Sequence, residues 1–211
     1  MTTALLDVRS LDAPLDPSSG AVLRAEDGTV LHAPADRWFR AAEPAETRAL
    51  AGIGGPVLDI GCGPGRHVVA LAEQGIPALG IDITTSAVHH ARSRGVPVLE
   101  RCVFDAVPGA GRWRSALLLD GNLGIGGQPV LLLQRVRELL APSGRVLVEI
   151  EPPGRAPVPG RVRFEIAGAA GPWFDWASVD MDGLDDVCAG ANLRVETRWC
   201  DDDRWFAWVG R

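Results

Sequence analysis

Lysine is absent from this sequence: all 21 basic residues of the 211-residue chain are arginine. Set against 27 acidic residues they leave a formal net charge of −6. An extended nucleic-acid surface needs a basic face to neutralise phosphates, so no nucleic-acid partner is expected. Paired cysteine motifs are missing as well. Cys62, Cys102, Cys188 and Cys200 have no CxxC spacing, which points to reduced, mostly buried thiols rather than metal ligands, so no metal is expected. No apolar run reaches the length of a membrane span, and the first thirty residues lack the basic start and unbroken apolar core of a signal peptide. The expectation is a soluble, cytoplasmic protein with no membrane partner. Repeats and low-complexity tracts are also lacking. What is present is apolar material: 46% hydrophobic residues against 23% charged suffice for one full core.

The order of elements can be read from the pattern. Residues 1–20 form a short-patterned arm, and "AVLRAEDGTVLHAP" holds two apolar runs joined through Asp27-Gly28, a hairpin signal. "ADRWFRAAEPAETRALAGIGG" reads as one helix with a glycine stop before Pro56. From residue 56 apolar strands alternate with helices: Val57–Ile60, "RHVVALAEQG", "PALGID", "TTSAVHHARSRG", "VPVLE", "RSALLLD", "PVLLLQRVRELLAPSG" and "RVLVEIE". Strands this apolar, separated by helices, imply a parallel sheet covered on both faces, a doubly wound α/β domain. Beyond a Pro-rich break at 152–160, "RVRFEIAG" and "PWFDWASV" suggest an extra antiparallel pair. A helix over "DMDGLDDVCAGAN" then precedes a closing hairpin, "LRVETRW" with "RWFAWVG", around Asp201–Asp203. This divides the chain into 1–55 (arm, hairpin and cover helix) and 56–211 (the α/β domain, with 152–178 as a substrate-side insertion).

"VLDIGCGPGRH" places glycine at every second position after the first strand, at Gly61, Gly63 and Gly65. In a doubly wound sheet the first strand-to-helix turn cradles the ligand, and glycine there lets a ligand approach the main chain. A dinucleotide fingerprint requires a third glycine at 66, where this chain has Arg66. Asp59 lies inside the first strand's end, and Asp82 ends the second strand, where a carboxylate can accept from both hydroxyls of an unphosphorylated ribose.

At these residues the sequence resembles the class I S-adenosylmethionine-dependent methyltransferases. "LDIGCGPGRH" resembles the family's first motif, "LGID" its acidic strand end, "CVFDAVP" its adenine-side segment and "LLLDGN" its fourth-strand motif. The resemblance covers residues 50–151 and, loosely, the closing hairpin; the whole chain also resembles small actinobacterial-type methyltransferases of unassigned substrate. It implies a Rossmann-like, mostly parallel seven-stranded sheet, with S-adenosylmethionine as cofactor and S-adenosylhomocysteine as product. By the same resemblance, Gly61 and Gly63 admit the methionine and ribose portions, and Gly65 completes the motif. Asp59 orders the turn or meets the cofactor's amino group, Asp82 holds the ribose and Ile83 packs on the adenine. Phe104 and Asp105 bound the adenine's other side, while Asp120 sits by the sulfonium.

Plainer roles compete for several of these residues. Asp105 could cap the turn before Pro108, and His67, on the first turn of a packed helix, suits a structural place. A sulfonium methyl is already activated, so acceleration can come largely from placing the acceptor. A base is needed when a hydroxyl or carbon must lose its proton. Asp120, Glu149 and Glu151 stand at strand ends facing the crevice, and Glu151 is favoured because Pro152-Pro153 would fix its loop. Asn122 offers an amide to the acceptor, with Gly121 making room. Trp38, Trp173 and Trp176, with Arg37, are the candidate substrate residues, since tryptophan suits a partly desolvated small molecule. "DGNLGIGGQP" does not match the N-P-P-Y-type motif, which argues against a nucleic-acid base or protein amide as acceptor. Two lesser readings are a cofactor-binding protein with another reaction and a non-catalytic subunit. Oligomeric state is not legible.

Overall fold

The computed structural model describes residues 20–31, 35–155, 160–166 and 169–211. The expected arm falls almost wholly outside them. The elements in chain order are β1 (Val22–Ala25), β2 (Val30–Leu31), α1 (Ala35–Trp38), α2 (Pro44–Ala49), β3 (Val57–Ile60), α3 (Arg66–Glu73), β4 (Ala78–Asp82), α4 (Thr85–Ser93), β5 (Val98–Glu100) and β6 (Trp113–Leu118). A 3₁₀ turn over Asn122–Gly124 leads to α5 (Pro129–Leu139), β7 (Leu140–Ile150), β8 (Arg161–Ile166), β9 (Ala169–Ala170), β10 (Phe174–Asp175), α6 (Leu184–Gly190), β11 (Arg194–Asp201) and β12 (Arg204–Gly210).

Seven strands form the main sheet in the order β11-β12-β7-β6-β3-β4-β5. β3 to β7 run parallel, and β12 returns antiparallel on β7 as part of the closing hairpin. All four residues of β3 are buried, as a strand covered on both faces requires. Leu58, Ala116 and Leu118 turn to one face, under Leu132, Val136 and Leu139 of α5. Val57, Leu117 and Leu147 turn to the other, against Leu50 and Leu71. From β3 the chain steps one way to β4 and β5 and the other way to β6 and β7, so a crevice opens at the carboxyl ends of β3 and β6.

The two segments outside this sheet form a second one, in the order β10-β8-β1-β2, with β9 also paired to β8. The expected hairpin closes at Asp27-Gly28, where Asp27 Oδ1 accepts from the Thr29 N–H at 2.8 Å. β1 then pairs with β8, 141 residues on between Leu23 and Phe164 in register, so the N-terminal hairpin and the 161–175 insertion make one roof. The expected pairing of 161–166 with 174–175 is present in it.

Two expected helices are shorter. The single helix over 35–55 is broken into α1 and α2, because Pro44 holds Glu43 extended (φ −73°, ψ 161°) and Glu43 instead begins α2 through a capping box with Glu46. The helix expected to reach Gly144 stops at Leu139: Pro142 biases Ala141 to extended backbone, and β7 starts at Leu140. No helix among the described residues is long and apolar enough to cross a membrane.

Candidate active site

Between the carboxyl ends of the parallel strands and the underside of the roof lies a cleft of about 830 Å³. Gly61, Gly63, Asp82, Ile83, Phe104, Asp105, Asp120, Asn122 and Glu151 all line it, as do Arg37, Trp38 and Trp176. Asp59, Gly65 and Trp173 are not among its lining residues.

The three motif glycines answer to three different neighbours, and all have positive φ. A Cβ on Gly61 would stand 2.6 Å from Asn122 Nδ2, which donates to the Ile60 and Gly61 carbonyls at 3.0 Å each. One on Gly65 would stand 2.7 Å from Val96 Cγ1, so this glycine lets α3 start against the α4–β5 connection. Gly63 has nothing within 4 Å in the direction of a Cβ and faces the cleft. Its N–H donates to Asp82 Oδ2 at 2.7 Å, while Asp82 Oδ1 accepts from the Thr84 N–H at 2.8 Å. Burial raises Asp82 above the usual carboxylate range, against the pull of these N–H groups. The two amides orient the carboxylate at the end of β4 and leave it further acceptor sites.

Asp59 is 1% exposed and lies beneath the turn, with His67 Nδ1 3.8 Å from its Oδ2. That oxygen has no hydrogen-bond partner among the described residues, and burial pushes the carboxyl up to about 6, against the attraction of His67 and Arg66. His67 Nε2 lies 3.3 Å from Glu46 Oε1 without a well-formed hydrogen bond, and the ring is buried.

Asp120 stands at the hub of an ion network that the sequence reading missed. Its carboxylate accepts from Arg66 Nη2 at 2.7 and 2.8 Å and from Arg37 Nη2 at 3.2 Å. Its own N–H donates to Glu149 Oε2 at 2.7 Å. Arg204 grips both Glu149 oxygens at 2.7 Å, and the fully buried Glu46 accepts from Arg66 and Arg37 and lies 3.0 Å from Arg204. Burial alone would raise Glu46, but His67 and Arg66 together hold it far below the usual carboxylate range. Asp120 itself has a left-handed backbone (φ 55°), a conformation that aspartate adopts more readily than most residues. A signal for the network was available. Arg66 begins α3, where a cation opposes the helix dipole and calls for nearby carboxylates.

Charges held this way are not available as free bases or anion receptors. Asp120 and Glu149 are occupied, and Arg37 spends its charge on Glu46 and Asp120. Glu151, on the same wall, is only half-buried and meets Arg155 at 3.5 Å. Glu46, His67 and Asp120 bring three potential ligand atoms within 4.8 Å of one another, but Arg66 already bonds both carboxylates and fills a cation's place.

The post-β6 loop is bound to the roof. Trp176 pairs with Ile125, the Ala177 N–H donates to the Gly124 carbonyl at 3.1 Å, and the Trp176 ring lies 3.9 Å from where a Cβ on Gly121 would be. Gly124 and Gly127 thus make room for β10 and the residues after it. Trp173 lies outside the cleft, under the Arg163 guanidinium at 4.7 Å.

Residues 57–144 match the family of methyltransferase domains. The chain carries a methyltransferase domain. A solved S-adenosylmethionine-dependent methyltransferase from Bacteroides fragilis, in complex with S-adenosylhomocysteine, superposes with a TM-score of 0.74 at 25% identity, over 90% of this chain and 86% of that one. With the domain match this makes the enzyme a methyltransferase of the S-adenosylmethionine-dependent class. The CcbJ methyltransferase of Streptomyces caelestis shares the fold (TM-score 0.63, 18% identity, 81% of this chain and 90% of that). So does the 1,6-didemethyltoxoflavin-N1-methyltransferase of Burkholderia thailandensis, solved with its substrate and S-adenosylhomocysteine (TM-score 0.57, 20% identity, 83% and 80%). No curated protein matches the chain by sequence. The methyltransferase's site residues fit the cofactor: Gly63 opens onto the cleft where a side chain would intrude, beside an oriented strand-end carboxylate.

Proposed function

We propose that the enzyme methylates a small molecule at a hydroxyl or amine, in the cytoplasm and in specialised metabolism. The observation that carries the reading is the pairing of Gly63 with Asp82 at the point where the strand order reverses. When bound, S-adenosylmethionine supplies a sulfonium methyl that needs no further activation. Asp82 would take the ribose hydroxyls on its remaining lone pairs, and Gly63 would give the main chain to the sugar and methionine portions. Ile83 and Phe104 would flank the adenine, with Asp105 accepting from its amino group. Glu151 is the wall carboxylate best suited to take a hydroxyl's proton, because its partner Arg155 is exposed and the pair is weakly held. The segments around Trp38 and from Phe164 to Trp176 would act as acceptor-side covers. The substrate named for the Burkholderia neighbour supports a small-molecule acceptor.

Asp82→Ala tests the cofactor part. Loss of charge-assisted bonds should weaken S-adenosylhomocysteine binding by roughly 2–3 kcal/mol in calorimetry, with circular dichroism unchanged. Unchanged affinity would remove Asp82 from the site.

A further inference from the structure

We infer that the acceptor is a planar aromatic molecule, seated against the row of rings under the roof; the inference rests on the methyl-transfer reading above. Four rings run in contact along the underside of the roof. Trp38 meets Phe164 edge-on at 6.1 Å, Phe164 meets Phe174 at 5.7 Å, and Phe174 meets Trp176 edge-on at 6.1 Å. All four line the cleft. They come from α1, β8 and the β10 strand with the residue after it, so the row joins the helix after the N-terminal hairpin to the 161–176 segment.

One end of the row lies close to Asp120. Trp38 follows Arg37, whose Nη2 reaches Asp120 Oδ1 at 3.2 Å. Trp176 lies against Gly121, the next residue after Asp120. The Trp176 end of the row therefore lies beside the end of β6, the place that the family resemblance implies for the sulfonium. Its ring faces are also uncommitted to cations. Among the described residues, the cation–π contacts fall on Trp173, Trp208 and Phe206, and none falls on these four rings. A flat π system gains more from a row of aromatic rings than an aliphatic body of equal size does. The arginines nearest the row are bound to carboxylates of the protein, so the slot selects by ring stacking rather than by charge.

The test uses the intact protein with 2-naphthol and its saturated counterpart decahydro-2-naphthol as probes, titrated in the presence of saturating S-adenosylhomocysteine. The expected result is that 2-naphthol binds about tenfold more tightly than the saturated alcohol, the scale of one or two aromatic contacts. Trp38→Leu and Trp176→Leu should each remove that preference while S-adenosylhomocysteine affinity stays within about twofold. Equal binding of the two alcohols, binding of neither, or a preference that survives both substitutions overturns the inference. Failure of S-adenosylhomocysteine itself to bind would instead strike the methyl-transfer reading.

Discussion

Replacing Asp59 by asparagine should stabilise the protein at alkaline pH, although the residue sits in the most motif-like part of the chain. Asp59 is 1% exposed, and burial moves its carboxyl from the ordinary 3.8 to about 6. The folded protein therefore holds the Asp59 proton more tightly than the unfolded chain does. From this group, stability is greatest below the unfolded value, falls as pH rises between the two values, and is lowest above about 6. A separation of about two units corresponds to about 3 kcal/mol, a net figure that already contains the attraction of His67 and Arg66. Asparagine keeps the shape and removes the charge. In urea titrations at constant ionic strength, Asp59→Asn should exceed the parent by up to about 3 kcal/mol near pH 8. In thermal melts that is a rise of roughly 6–12 °C. The difference should shrink steadily between about pH 6 and pH 4, where the parent also becomes neutral. A variant less stable than the parent near pH 8, or a difference independent of pH, would refute the reasoning and give Asp59 a partner for its charge.

Two further substitutions separate roles inside the cleft. Asn122→Ala leaves the Ile60 and Gly61 carbonyls without their donor, so S-adenosylhomocysteine affinity and turnover should fall together, each by roughly tenfold for about one lost hydrogen bond. Normal affinity with reduced turnover in calorimetry and steady-state assays would instead place Asn122 on the acceptor. Gly124→Ala would drive a Cβ into the Ala177 carbonyl, and should lower the thermal midpoint and speed amide exchange over residues 160–177; unchanged exchange would show that the roof does not rest on this loop.

The main sheet was legible because its strands are buried on both faces, and continuous apolar runs bounded by glycine leave little choice. The roof was visible only as two separate hairpins. Nothing local ties Leu23 to Phe164, since their pairing is decided by backbone hydrogen bonds and by a shared apolar face. The glycine motif reads as one device for one ligand; in the structure Gly61 and Gly63 both line the cleft, Gly61 also stands against Asn122, and Gly65 stands against Val96. Glu46 and Arg204 went unnoticed for a similar reason. Each is an ordinary charged residue in its own segment, and they become a network only when α2, α3 and β12 converge on the end of β6.

The shared roof sheet also fixes an order of assembly. The five parallel strands are complete once Ile150 has been made, and their pairings join segments close in sequence. β1 emerges first but has only the two-residue β2 to pair with until β8 follows at Arg161. Closing so long a loop is entropically slow, and the strands it unites are short. In refolding experiments the sheet that carries the cofactor residues should acquire amide protection first, with Val22–Ala25 and Arg161–Ile166 gaining theirs together in a later phase.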